Sequence, residues 1–206
     1  MRSCAALRNP ADPRRHIAFQ WVAIKVLPPY RLADSERKRR FVREAQAASA
    51  LNHPNSITVH EIDQQEGEDF LVMEYIDGKS LAHVIQSGCG SREAVKYGLQ
   101  IADGLAAAHA AGQTIGRTEP GLVLGTAGYL SPEQVRGRVL DPQSDQFLFG
   151  IIRYEMIFGA HPFRRESAPQ ILAAIIEAEP EPLPETVPLP LRWIVERCPA
   201  KDPSAR

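Results

Sequence analysis

The chain has 206 residues, 44% of them hydrophobic and 24% charged, with 24 Lys and Arg against 25 Asp and Glu. That balance supplies enough apolar material for a core and gives no reason to expect nucleic acid or an anionic membrane surface as a partner. Cys4, Cys89 and Cys198 lie far apart and form no C-x-x-C pair, which argues against a disulfide framework or a zinc site and fits a reducing cytoplasm.

Residues 1–20 mix arginine and proline without an apolar run, so they are read as an irregular N-terminal remnant rather than a signal peptide. Val22-Ala23-Ile24-Lys25-Val26-Leu27 is a β-branched run stopped by Pro28-Pro29, which predicts a strand. Asp34 offers an N-cap with Glu36 in the first turn, opening a helix that runs to about Leu51 and halts before Asn52-His53-Pro54. Ser56–Ile62 and Asp69–Tyr75 read as strands, and the polar Gln64-Gln65-Glu66-Gly67-Glu68 between them predicts an antiparallel hairpin.

After Asp77-Gly78 the pattern turns helical, over Ser80–Gln86, Ser91–Ala111, Pro142–Phe158, Ala168–Glu179 and Leu189–Cys198. Pro180, Pro182, Pro184, Pro188 and Pro190 cannot continue a helix and are expected to form an extended surface connection. No stretch approaches the roughly 18–20 apolar residues of a membrane-spanning helix, so a soluble chain is expected. A β-rich part followed by a helical part predicts two lobes joined near Tyr75–Gly78, and ligands favour such joints.

Strand alternation puts Ala23, Lys25 and Leu27 on one face, so Lys25 has two apolar neighbours. In the following helix Phe41, Glu44, Ala48 and Leu51 recur at helical spacing, which sets Glu44 within the apolar stripe. A Lys25–Glu44 ion pair would relieve both, because a partly buried charge is costly unless paired. Periodicity leaves equally open that each side chain reaches water on its own.

Val22-Ala23-Ile24-Lys25 resembles the V-A-I-K strand of protein kinases, whose lysine holds the α and β phosphates of ATP and pairs with a glutamate of the next helix. Arg43-Glu44-Ala45, Leu51-Asn52-His53-Pro54-Asn55 and Leu71-Val72-Met73-Glu74-Tyr75-Ile76-Asp77-Gly78 resemble, in the same order, segments of bacterial Hanks-type serine/threonine kinases. Gly125-Thr126-Ala127-Gly128-Tyr129-Leu130-Ser131-Pro132-Glu133 is similar to the end of the activation segment, with Ser131-Pro132-Glu133 in the place of A-P-E. Ser144–Gly150 resembles the start of the helix that follows, and Lys201-Asp202-Pro203-Ser204-Ala205-Arg206 the close of the helical lobe.

The resemblance implies an α+β, protein-kinase-like two-lobed fold with an incomplete small β-rich lobe (21–77) and a larger, mainly α-helical lobe (78–206). It makes Met73 a gatekeeper and sets Ala23 against adenine. The backbones of Glu74 and Ile76 become a hinge, and Lys25 with Glu44 a phosphate-side pair. It also implies a salt bridge between Glu133 and Arg206. The cofactors of the family are ATP and Mg²⁺, and its partners are protein substrates or another kinase.

Phosphoryl transfer needs a positioned γ-phosphate, Mg²⁺ and an aspartate to orient the acceptor hydroxyl. Neither H-R-D-L-x-x-x-N nor D-F-G occurs in the chain, and no G-x-G-x-x-G precedes Val22. Ala106-Ala107-Ala108-His109-Ala110-Ala111-Gly112 resembles the helix that leads into the catalytic loop, yet Thr118-Glu119-Pro120-Gly121 already resembles the far side of the activation loop. The segments between are read as deleted, no catalytic or metal-ligating residue is assigned, and ATP contact is expected to be weak or absent. His109 reads as a structural histidine at a helix end. In the family the counterpart of Asp145 braces the catalytic-loop backbone, so Asp145 is expected to have lost its partner, and apolar surface is expected to be exposed. Three readings follow: a kinase shortened by an error in the gene model, a pseudokinase serving as a binding or scaffold module, and a decaying remnant.

Overall fold

The computed structural model describes residues 4–6, 21–26, 51–65, 68–113, 128–138 and 140–206. Its strands are β1 (Cys4–Ala6), β2 (Trp21–Val26), β3 (Val59–Gln65) and β4 (Glu68–Glu74), joined in one antiparallel sheet of order β1-β2-β4-β3. The run Phe70-Leu71-Val72-Met73 suits a strand covered on both faces, and Leu71, Val72 and Met73 are all buried in the interior strand β4.

β2 pairs with β4 from Val22 opposite Glu74 to Val26 opposite Phe70. β3 pairs with it from Val59 opposite Met73 to Gln65 opposite Glu68, with an irregularity between Val59 and Glu61. Opposed residues share a face. Ala23, Lys25, Val59, Ile62, Leu71 and Met73 therefore line one face, and Val22, Ile24, Val26, Phe70 and Val72 the other.

The largest departures from the sequence expectation are in two strands. The first hairpin strand starts at Val59 instead of Ser56 and runs on through the exposed Asp63, Gln64 and Gln65, because the register holds as far as Gln65 opposite Glu68. Pairing, not propensity, sets that end. Cys4-Ala5-Ala6, taken as part of an irregular remnant, pairs with Ala23, Val22 and Trp21 of β2. The helix expected from Asp34 to about Leu51 lies outside the described residues up to its final position.

The chain divides into two compact units, Met1–Gly78 and Lys79–Arg206. The second holds helices α1 (Leu81–Gln86), α2 (Ser91–Ala110), α3 (Pro132–Val135), α4 (Pro142–Phe158), α5 (Ala168–Glu177) and α6 (Leu189–Arg197), then a 3₁₀ turn at Pro203–Ala205. The architecture is α+β. α4 begins where the Asp141 carboxylate accepts from the Gln143 and Ser144 N–H groups and ends at Gly159, whose φ of 79° is the left-handed conformation that glycine adopts without strain.

Phe147, Ile151 and Tyr154 recur along α4 at helical spacing and are almost fully buried. Phe147 and Ile151 pack with Leu130, Phe163, Ala174 and Ile175, and Tyr154 packs with Leu183 and Val195. Burying each of these large side chains stabilises by roughly 2–3 kcal/mol. A Cβ on Gly150 would sit 2.7 Å from Cys198 Cβ and 2.9 Å from Pro199 Cδ, so α4 and the end of α6 approach too closely for any side chain there.

The proline-dense connection between α5 and α6 is not merely a surface strap. Leu183 and Val187 are buried, the Tyr154 hydroxyl donates to Glu181 O at 2.8 Å, and the Leu183 N–H donates to Glu196 Oε1 at 3.0 Å. Pro190 sits in the first turn of α6, where the N–H it lacks has no helical acceptor.

Candidate functional site

Three of the residues singled out for nucleotide contact, Ala23, Lys25 and Met73, share one sheet face. Ala23 lies opposite Met73 and Lys25 opposite Leu71 across β2 and β4, so a lysine amine, a small residue and a thioether share that face. Met73 is buried and packs with Leu71, Val59 and Ile62, whereas Lys25 is exposed. Glu74 closes β4: its N–H donates to Thr58 O at 2.8 Å, and its carboxylate accepts from the Thr58 N–H at 3.2 Å. Ile76, just beyond the strand, is 61% exposed. Glu44 lies outside the described residues, and so does the Lys25–Glu44 pair. A cavity of about 580 Å³ opens on the other face, lined by Ile24, Val26, Gln65, Glu68 and Phe70.

The described residues of the face carrying Ala23, Lys25 and Met73 fit the base and a phosphate of a nucleotide in chemical kind: an apolar floor with one exposed cation. Among the described residues no group of three or more His, Cys, Asp or Glu could hold a metal ion.

The helical unit carries its own polar constellation. Asp145, in the first turn of α4, is 1% exposed, and its Oδ2 lies 2.8 Å from His109 Nε2 near the end of α2. Asp145, whose catalytic-loop partner in the family was expected to be lost, is met instead by a ring nitrogen from a neighbouring helix. Sequence reading took His109 for structural without finding its partner, 36 positions away. The usable signal was a carboxylate in the buried Ser144–Gly150 stretch, which must be paired.

Ser131 caps α3 by a reciprocal pair: Ser131 Oγ accepts from the Gln134 N–H at 3.2 Å and Gln134 Oε1 from the Ser131 N–H at 2.7 Å. This fixes Glu133, whose Oε1 lies 2.6 Å from Arg206 Nη1, as the resemblance implied. Arg206 also donates to the carbonyls of Ala200 at 2.8 Å, Gln143 at 2.8 Å and Lys201 at 3.4 Å, and its guanidinium lies 5.0 Å from the centre of the Phe147 ring. Lys201 rests 3.8 Å over the Phe163 ring and donates to Ile175 O at 2.8 Å, near the end of α5. Burial pushes the Lys201 amine down to about 8, against the pull of Glu179.

Sequence reading also missed two contacts. Arg153 of α4 donates to Cys198 Sγ and lies 4.3 Å over the Phe149 ring. His161 Nε2 lies 2.9 Å from Gly128 O. The Arg153–Cys198 and His161–Gly128 contacts have no spacing signal, since each joins residues at least 33 positions apart.

The Protein kinase domain family matches residues 15–117, and the Protein tyrosine and serine/threonine kinase family matches residues 122–206. The serine/threonine-protein kinase PrkC of Bacillus subtilis is 32% identical over 221 residues, covering 90% of this chain and 34% of its own length. PknA of Mycobacterium tuberculosis is 31% identical over 222 residues, covering 90% of this chain and 52% of its own length. PkaA of Streptomyces coelicolor is 35% identical, covering 90% of this chain and 40% of its own length. The chain therefore spans between a third and a half of these relatives. The stretch matched in PrkC, 221 residues, is longer than this whole chain, of which 90% is roughly 185 residues, so some 35 positions of the match have no counterpart here. With both of its parts matched by kinase families, the chain belongs to the Hanks-type serine/threonine protein kinases.

Proposed function

We propose that this chain is a catalytically silent member of the serine/threonine kinase family, acting as a pseudokinase binding module for a protein partner in the cytoplasm. The family activity is ATP-dependent phosphorylation of protein Ser or Thr. The observation that carries the reading is the junction after α2. Gly112 is followed within a few residues by activation-segment-like sequence, the two family matches meet between residues 117 and 122, and relatives carry some 35 further positions. The H-R-D aspartate and the D-F-G aspartate have no equivalent among the 206 residues, so neither a base nor the usual Mg²⁺ ligand is supplied.

Ala23, Lys25, Met73, Glu74 and Ile76, with Glu44, would hold what nucleotide binding is retained. ATP with Mg²⁺ would supply the transferable phosphoryl group and its charge neutralisation. In this chain Lys25 would offer one cation to a phosphate, without a glycine-rich loop to cover it. The loss of positioning removes most of what catalyses phosphoryl transfer.

Thermal unfolding with and without millimolar ATP and Mg²⁺, alongside a labelled-phosphate transfer assay on a basic protein, tests the reading. The expected result is no transfer above that of Lys25→Met, with at most a small ATP-dependent rise in the midpoint that Lys25→Met abolishes. Transfer well above the Lys25→Met background would overturn it. A second reading, a gene model that omits coding sequence, rests on the same missing positions and is decided by resequencing the transcript across codons 112–122.

A further inference from the structure

His161 follows α4 by three residues, and both of its ring nitrogens are engaged. The Phe163 N–H points at Nδ1 at 3.1 Å, and because a backbone amide can only donate, Nδ1 must be the acceptor. The ring proton is then on Nε2, which donates to Gly128 O at 2.9 Å. The ring also meets Tyr129 edge-on, with centroids 5.2 Å apart. Gly128 is buried, and a Cβ there would lie 2.8 Å from His161 Nε2 and 3.1 Å from Cε1, so only glycine admits the ring. The neutral Nε2–H tautomer is thus specified from both sides.

We propose that His161 is an acid-released latch, which in its neutral form ties the Gly128–Leu130 stretch to the turn after α4 and on protonation lets it go. A proton taken from solvent by Nδ1 removes the acceptor of the Phe163 N–H and sets two N–H groups against each other at that distance. The ring must turn, and Gly128 O loses its donor. Among the described residues, the titratable groups facing the ring are Tyr129 on the latched stretch and Glu155 on α4, and the Tyr129 hydroxyl donates to Glu155 Oε2 at 2.5 Å. Burial opposes the protonated ring, whereas the Gly128 carbonyl and, to a lesser degree, Glu155 favour it. Burial is the larger influence and holds the imidazole below its usual range. Protons are therefore taken up more readily by the open state than by the latched one. The latch is at full strength above the ordinary histidine pKa of about 6.5 and weakens as pH falls below it. The inference does not depend on nucleotide binding.

The test is hydrogen exchange at the Gly128–Leu130 amides between pH 7.5 and 5.0, with His161→Gln measured at each pH so that the intrinsic pH dependence of exchange cancels. Opening of the wild-type stretch relative to His161→Gln should rise about tenfold per pH unit between the latched and open pKa values of His161. Gly128→Ala, which drives the ring out sterically, should exchange rapidly at pH 7.5. Identical pH dependence in wild type and His161→Gln would overturn the proposal. Should His161→Gln fail to fold, an NMR titration of the wild-type ring decides the matter: a neutral Nε2–H tautomer titrating below 6.5 supports the latch, and titration above 6.5 overturns it.

Discussion

β4 and α4 are each the centre of their unit, yet they are held by different means. β4 is secured by its neighbours in the ladder: Met73 faces Ala23 on one side and Val59 on the other, and the contacts follow from pairing once the register is set. α4, besides its apolar packing, is secured by polar side chains that reach from distant sequence. His109 comes to Asp145, Arg206 to the Gln143 carbonyl in its first turn, the Cys198 thiol to Arg153, and Tyr129 to Glu155. A sheet can lose members at its margin and keep its register. A helix tethered from four directions loses its position when a tether is cut.

Removing the carboxylate that anchors Arg206, one of the four tethers, should break the comparison most. Glu133→Gln leaves the Arg206 guanidinium without its buried carboxylate, and urea unfolding followed by helical circular dichroism should show a loss of about 3 kcal/mol. A loss under about 0.5 kcal/mol would mean that the three carbonyls around Arg206 hold it unaided. Next is Gly150→Ala, whose new methyl collides with Cys198 and Pro199; a cost of about 2 kcal/mol is expected, read as a lower thermal midpoint. Ser131→Ala removes the cap that orients Glu133 and should cost about 1 kcal/mol in the same unfolding assay. Lys25→Met, at an exposed strand position, should change stability by no more than about 0.5 kcal/mol, which would mark the contrast between the two units.

Legibility followed the same division. Helices with a cap at one end and a breaker at the other were readable: Pro142–Phe158 is both the expected and the observed α4, because Asp141 and Gly159 delimit it locally. Ser91–Ala110 and Leu189–Arg197 differ from expectation only at their last residue. What was not readable depends on partners. Nothing in Cys4-Ala5-Ala6 favours a strand; β2 supplies its hydrogen bonds. The four-residue α3 has too few turns for a periodic signal and is fixed by its cap.

For the candidate site, Ala23, Lys25 and Met73 were named from a motif, and the ladder brings them to one face. The Glu133–Arg206 bridge was likewise named from a motif and is present. His109 with Asp145, and His161 with Gly128, went unpaired in the sequence because a carboxylate or a carbonyl does not announce which distant ring will reach it.

The Glu133–Arg206 bridge also has a kinetic consequence. Its members are separated by 73 positions and by the whole of α4, α5 and α6, so the loop it closes is long and the helices between must already be in place. A contact of such separation is expected to form late on the folding route, after the transition state. Its loss should therefore speed the unfolding of the helical unit while leaving its rate of assembly nearly untouched. The bridge serves less as a guide for folding than as a clasp that sets how long the finished unit lasts.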